Sequence, residues 1–161
     1  YALDGEQYVA FAVGFGGGLA SEASALAHGW EIPNLSRVLV YKLGGDHELP
    51  PPPVVNRTLA AKPLAATASA EVIEQGEVVF HRHCAMCHGD SLRGGGLTPD
   101  LRHSGENVHN IWQDIVRGGV LKARGMVSFA DFVSEADAEA IRQYVLAEAN
   151  RLYEEQNPAA G

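Results

Sequence analysis

The five residues Cys84-Ala85-Met86-Cys87-His88 constrain this chain more than any other feature of it. They contain both of its cysteines, three positions apart, with an imidazole directly after the second. A C-x-x-C-H string is the attachment signature of c-type haem. Two thiols at that spacing at the start of a helix reach the two vinyl groups on one porphyrin edge. The adjacent histidine is then carried beneath the iron as its proximal ligand. A chain tied in this way has to fold around a flat apolar group, and it keeps no cysteine for a disulfide.

The rest of the sequence falls into zones around this string. Residues 1–49 read as β: Tyr8-Val9-Ala10-Phe11-Ala12-Val13 is an apolar strand ending at Gly14. Arg37-Val38-Leu39-Val40-Tyr41-Lys42-Leu43 is a second strand, stopped by Gly44-Gly45. Between them, Gly16-Gly17-Gly18 and the small residues up to His28 read as a loop. Two strands are marginal alone in water, so this zone is expected to pair with a sheet outside the chain. Residues 50–68 read as a linker, because Pro50 to Pro53 favour polyproline and the Ala/Thr/Ser run after Lys62 offers little to bury. Asn56-Arg57-Thr58 matches a glycosylation sequon, a pattern short enough to arise by chance in a polar linker.

Residues 69–155 read as helical, with 156–161 as a tail. Ser69 is placed to cap a first helix that carries Glu71 and Glu74 near its positive end, turns Val72, Val79 and Phe80 to a core, and delivers Cys84. A second helix is expected from Glu106 to Arg117, closed by Gly118-Gly119. A third starts at Ser134, where Ser134-Glu135-Ala136-Asp137 resembles a capping box, and carries Ile141, Tyr144, Val145 and Leu152 on one stripe.

A haem needs a second axial ligand or an open position for a small molecule. Met86 lies inside the attachment loop, along the porphyrin edge. Met126, after Gly125, is far enough down the chain to cross to the distal side by a helix and a loop. A thioether is soft, favours ferrous iron and raises the potential, while the plainer role of a methionine is to fill a core. His103 and His109 offer a bis-imidazole alternative, and His81 and His83 are expected to be exposed or at the haem edge. Cys84, Cys87, His88 and His83 form a candidate zinc set, although closed zinc sites draw their ligands from separated pairs. A thioredoxin-type dithiol would need a βαβ pattern that is missing around these cysteines.

From about Glu71 to Tyr153 the sequence resembles a class I cytochrome c domain. Gly76 and Phe80 match the Gly-x-x-x-aromatic of the first helix, and Tyr144 matches the aromatic of the last helix that crosses it. Pro99, in Thr98-Pro99-Asp100-Leu101, matches the proline whose carbonyl accepts the proximal histidine's ring proton. That bond would fix His88 and raise its basicity, with Leu101 packing on the haem face. Gly125-Met126-Val127-Ser128-Phe129 resembles the distal loop, with Val127 where a proline is common. The resemblance implies a mainly α fold, three main helices around one covalent haem c, preceded by a β-hairpin. It implies a cofactor-binding set of Cys84, Cys87, His88, Pro99, Leu101, Met126 and Phe129, with His88 and Met126 on the iron.

The first zone resembles the end of the β-propeller in pyrroloquinoline quinone (PQQ)-dependent alcohol dehydrogenases. The matching residues are Leu3-Asp4-Gly5-Glu6-Gln7-Tyr8-Val9-Ala10, Gly14-Phe15-Gly16-Gly17, and Ser36 through Gly44, with Phe15 where a tryptophan is usual. In the quinohaemoprotein members a proline-rich linker and a cytochrome c domain follow in this order, and most of the quinone and calcium sites would lie in propeller outside this chain.

These resemblances imply a one-electron carrier that does not itself oxidise substrate. A quinohaemoprotein dehydrogenase oxidises an alcohol, sugar or aldehyde at its quinone and discharges two electrons singly. The haem would take each from a PQQ-containing propeller domain or subunit and pass it to another cytochrome, a copper protein or a membrane quinone. The alternatives are a free-standing cytochrome serving another oxidoreductase, and a haem sensor with an open sixth site. Arg117, Lys122 and Arg124 flank the distal loop, placed to steer a partner, to pair with haem propionates, or simply to be solvated. The net charge of −8, from 12 Lys and Arg against 20 Asp and Glu, disfavours nucleic acid. The longest uncharged apolar stretch, Gln7 to Ser21, is glycine-rich and too short to span a bilayer. Haem of the c type is attached outside the cytoplasm, so a bacterial periplasm is expected, with an export signal on a longer precursor. Tyr1, with no charged n-region around it, reads as the start of a processed or excised piece.

Overall fold

The computed structural model describes residues 1–14, 36–51, 54, 62–94 and 98–158. Phe15, the loop expected between Gly16 and His28, and the sequon at Asn56 lie outside the described residues. The fold is mainly helical, with a small antiparallel sheet before the helices.

Asp4 (φ 52°) and Gly5 (φ 79°) are both left-handed, the geometry of a tight two-residue hairpin. They join β1 (Ala2–Leu3) to β2 (Glu6–Val13). A two-residue strand is too short to show a period, and for that reason β1 was not legible in the sequence. β2 then pairs with β3 (Arg37–Lys42), with Tyr8 opposite Lys42 and Val13 opposite Arg37. This register puts Val9, Phe11, Leu39 and Tyr41 on one face and Ala10, Ala12, Val38 and Val40 on the other. Both faces are apolar, yet Phe11 is 52% and Val38 67% exposed. Strands apolar on both faces belong to sheets covered on both sides.

Helix α1 (Ala70–His83) starts at Ser69, whose backbone is extended but whose hydroxyl makes no bond to the helix amides. Its buried stripe is Gly76, Val79 and Phe80, with Ile73 packed beside it. Val72, expected in the core, is 40% exposed. Val72 shares its side of the helix with Gly76 and Val79, four and seven positions on, but stands in the first turn, before the crossing at Gly76. The expected second helix is two short ones, α3 (Glu106–Asn110) and α4 (Trp112–Val116), separated at Ile111 (φ −114°, ψ 25°). Ile111 still accepts the first bond of α4, from Ile115 N–H at 3.0 Å, and so serves as its N-cap. Gly119, at φ +70°, turns the chain out after α4 as its sequence suggests.

Helix α5 (Glu135–Gln156) opens with the expected capping box: Ser134 Oγ accepts from Asp137 N–H at 3.0 Å, and Asp137 Oδ2 accepts from Ser134 N–H at 3.3 Å. Ser134→Ala should lower unfolding stability by about 1 kcal/mol, measured by denaturant titration. The Ser134 hydroxyl, first, holds the Asp137 carboxyl below its ordinary 3.8. That contribution is therefore present above pH ~3.8 and lost as the pH falls through the lowered value.

α1 and α5 cross at Gly76, where a Cβ would overlap the Ala140 carbonyl. One turn on, Phe80 and Tyr144 pack ring to ring, with centroids 5.7 Å apart. Around them Val79, Leu92, Trp112, Val116, Val133, Ile141 and Val145 form one core. Residues 64–68, read from the sequence as linker, are hydrogen-bonded to α5 through Gln143 and Asn150. Among the described residues no helix is long and apolar enough to cross a membrane.

Candidate haem site

The attachment string is folded as a single helical turn. Cys84 (φ −118°) ends α1, its N–H still bonded to Phe80 O at 2.7 Å, and α2 (Ala85–His88) follows at once. Cys84 O accepts from both Cys87 and His88 N–H, at 3.2 and 3.0 Å, which puts the two thiols and the imidazole on successive corners of one turn. Gly89, at φ 73° and ψ 152°, stops it with a backbone that side chains rarely allow.

Both thiols are free, Cys84 half-buried and Cys87 exposed. Burial, and secondarily Cys87, pushes the Cys84 thiol up to about 11. Dithiol redox sites have lowered thiol values, so this environment is the opposite of theirs. Burial also pushes His88 below its ordinary value, holding the ring in the neutral form that binds metals. His88 Nδ1 is buried without a hydrogen-bond partner. The bond to the Pro99 carbonyl implied by the resemblance is therefore not formed here. A metal on Nε2 would fix the proton on Nδ1 and turn it into the donor that such a bond needs.

The segment after His88 folds back beneath the string. Gly94 N–H donates to His88 O at 2.9 Å, Thr98 Oγ1 donates to Cys87 O at 2.7 Å, and Leu101 N–H donates to Leu92 O at 2.8 Å. Leu92 is fully buried at φ 66°, a left-handed conformation that a leucine keeps only under tight packing. Asp100 grips the buried Arg102 through two bonds, at 2.9 and 2.6 Å.

These elements enclose a cavity of about 840 Å³. Cys84, Cys87 and His88 line it with Thr98, Pro99 and Leu101 from the returning segment. Val108, Trp112, Ile115 and Val116 line it from α3 and α4, and Leu121, Arg124 and Met126 from the last loop. Met126 is half-buried and packs on the core. Trp112 was missed as a site residue. Its signal was present as an apolar i, i+4, i+7, i+8 series from Val108, and its indole N–H is anchored on Ala138 O at 2.7 Å. Phe129 does not line the cavity; it packs on the core and its N–H donates to Val116 O at 2.9 Å.

The remaining candidates are sorted by position. His103 lines the cavity, with Nε2 3.9 Å from Asp100 Oδ2. His109 is buried and stacked on Trp112, with centroids 5.6 Å apart, and does not line it. His81 bonds the Glu77 carbonyl and His83 stacks on Phe132. Among the described residues no three His, Cys, Asp or Glu side chains are grouped to hold a metal ion, so the zinc set is not assembled. Arg117 is bound to Val133 O and Glu135. Arg124 lines the cavity and makes no ion pair with the described residues.

An apolar cavity of this size, two free thiols at its rim, a neutral half-buried imidazole with an orphaned Nδ1 and a thioether in its lining fit the donor set and shape of a haem c site. Residues 71–145 match the family described as cytochrome c oxidase, cbb3-type, subunit III, as a cytochrome c domain. The chain as a whole is similar to the cytochrome-bearing region of quinohaemoprotein alcohol dehydrogenases. It is 36% identical over 155 residues to quinohemoprotein alcohol dehydrogenase ADH IIB of Pseudomonas putida. It is also 36% identical over 157 residues to the dehydrogenase subunit of alcohol dehydrogenase (quinone) from Komagataeibacter europaeus. The solved structure of quinohemoprotein alcohol dehydrogenase ADHIIG from Pseudomonas putida superposes with a TM-score of 0.80 at 35% identity, covering 96% of this chain and 22% of that one. The chain covers 96% of itself in each of the first two matches but spans only 22% and 21% of those relatives.

Proposed function

We propose that this chain is the electron-exit segment of a PQQ-dependent alcohol or sugar dehydrogenase. Single electrons from the reduced quinone would pass through one covalent haem c to a respiratory acceptor, which is a cytochrome, a copper protein or a quinone. The observation that carries the reading is the cavity that gathers Cys84, Cys87 and His88 from one segment and Met126 from another. The relatives and the two-faced sheet support a propeller as donor, with PQQ and calcium held there and not by this chain. Attachment chemistry supports a periplasmic location.

When bound, the haem supplies a reversible one-electron iron couple. The chain's own residues do the rest. Cys84 and Cys87 would hold it covalently, each thiol adding across a vinyl group to leave a thioether. His88 would hold the iron through its other ring nitrogen, which would leave Nδ1 protonated to donate to the Pro99 carbonyl, and Leu101 would pack against the haem. Met126 would supply a thioether to the iron, and Phe129 buttresses its loop through Val116. Trp112, Val108 and Ile115 keep water from the iron, and Arg124 pairs with a haem carboxylate.

The test is Met126→Ala in the haem-loaded protein. The native protein should titrate in one single-electron wave and show the weak long-wavelength band of a sulfur–iron bond. The variant should lose the band, fall in potential and bind carbon monoxide when reduced. Met126→His should restore a six-coordinate haem of lower potential, because imidazole favours ferric iron more than thioether does. An unchanged spectrum and potential in Met126→Ala would move the sixth ligand to His103, which also lines the cavity.

A further inference from the structure

Gln143 is a polar side chain on the core side of α5, only 3% exposed. The haem cavity does not account for it, since it is absent from the lining. Its Oε1 accepts from two consecutive backbone amides, Thr67 N–H at 2.8 Å and Ala68 N–H at 3.2 Å. Its Nε2 donates to Glu139 Oε1 at 2.8 Å, a carboxylate that Arg142 also holds, at 2.6 and 2.8 Å. Two turns further along α5, Asn150 Nδ2 donates to Leu64 O at 2.7 Å and to its own helix at Leu146 O, 2.8 Å. Gln143 to Asn150 rises about 10 Å along a helix, and Leu64 to Thr67 or Ala68 spans about the same when extended. The partners therefore match in register, with the segment running antiparallel to the helix. Ala66 and Ala68 are half-buried while Ala65 and Thr67 are exposed, the alternation of an extended strap lying on a surface.

We infer that Gln143 and Asn150 are positioning residues: they clamp residues 64–68 along α5 and so fix where the tether to the β segment leaves the haem domain. The inference rests on the proposed electron path, which needs the haem within a set reach of the quinone. Docking the strap removes five residues from the free tether, roughly 15 Å of reach at ~3.1 Å per extended residue. It also fixes the exit point beside Asn150, on the C-terminal half of α5, instead of at Ser69 on the opening of α1. A buried glutamine whose oxygen serves two backbone amides of a proline- and alanine-rich segment has a cost without the strap, because that oxygen would then be buried and unsatisfied.

Two measurements on the full haem-loaded chain decide it. Amide exchange, followed by NMR on the reduced protein, should show Thr67 and Ala68 protected by about tenfold or more over an open chain. Gln143→Met, which keeps the volume but removes the acceptor, should abolish that protection. For the reach, a nitroxide is placed at Leu43→Cys, an exposed position of the β segment and the one free thiol once both native cysteines carry haem. Its distance distribution to the ferric iron should broaden and lengthen when Gln143→Met and Asn150→Ala are combined, with haem spectrum and potential unchanged. Unprotected amides in the native protein overturn the clamp, and a distribution that ignores the double variant overturns its positioning role. A chain that shows no haem absorption fails the electron-path reading instead, while the exchange data still decide the clamp.

Discussion

Replacing Cys84 and Cys87 together with alanine should leave no band at 17.2 kDa when a denaturing gel is stained for haem-peroxidase activity, whereas the native chain should stain strongly. The expectation follows from geometry as well as from the motif. The two thiols sit on one turn at the rim of a cavity of about 840 Å³, so both bonds can close on one edge of one ligand. The consequence should extend beyond colour. Without the haem, the apolar lining that Val108, Trp112, Ile115 and Val116 give the cavity is left facing water instead of a packed partner. Helices 70–156 should therefore lose their fixed packing in the double variant, seen as a collapse of near-ultraviolet dichroism. A native chain whose haem is extracted by acidified organic solvent would refute covalent attachment outright.

Gly76→Val should be the most damaging substitution away from the cofactor, lowering unfolding stability by about 3 kcal/mol or more. Even Gly76→Ala should destabilise. Intrinsic helix propensity argues the reverse, because alanine in a helix interior is better than glycine by about 1 kcal/mol. Propensity loses here because the added Cβ meets the Ala140 carbonyl, a backbone atom in the second turn of α5 that cannot rotate away. The helices would have to separate, opening the Phe80–Tyr144 contact that closes the core next to Cys84. Thermal unfolding of the holoprotein measures this, and a raised melting temperature in Gly76→Ala would show that the crossing is looser than the structure has it.

The two predictions rest on features of different legibility. The attachment turn, the Ser134–Asp137 capping box and the stop at Gly118-Gly119 were readable because each is written within a few consecutive residues, while the Gly76/Phe80/Tyr144 crossing was carried by the resemblance to class I cytochromes c. Caps, turns and stripes are local chemistry, and the chain carries their partners three or four positions away. Met126 was readable as a site residue by its side-chain chemistry, and the structure does bring it into the lining of the cavity that holds Cys84 and His88. Trp112 had a legible period that went unused.

What the amino-acid order determined by itself was thus the cofactor chemistry, the helical class and the punctuation of the helices. Tertiary structure decided which apolar side chains are covered: Ile73 rather than Val72, Trp112 toward the cavity, and Phe129 against the core instead of the haem space. It also split the second helix at Ile111 and laid the apparent linker at Leu64 to Ala68 on a helix about eighty positions away. Alanine, threonine and glutamine in those segments satisfy any extended or helical rule equally well. Their state depends on whether a buried amide or carbonyl elsewhere in the fold needs a partner, and that need exists only once the helices have packed.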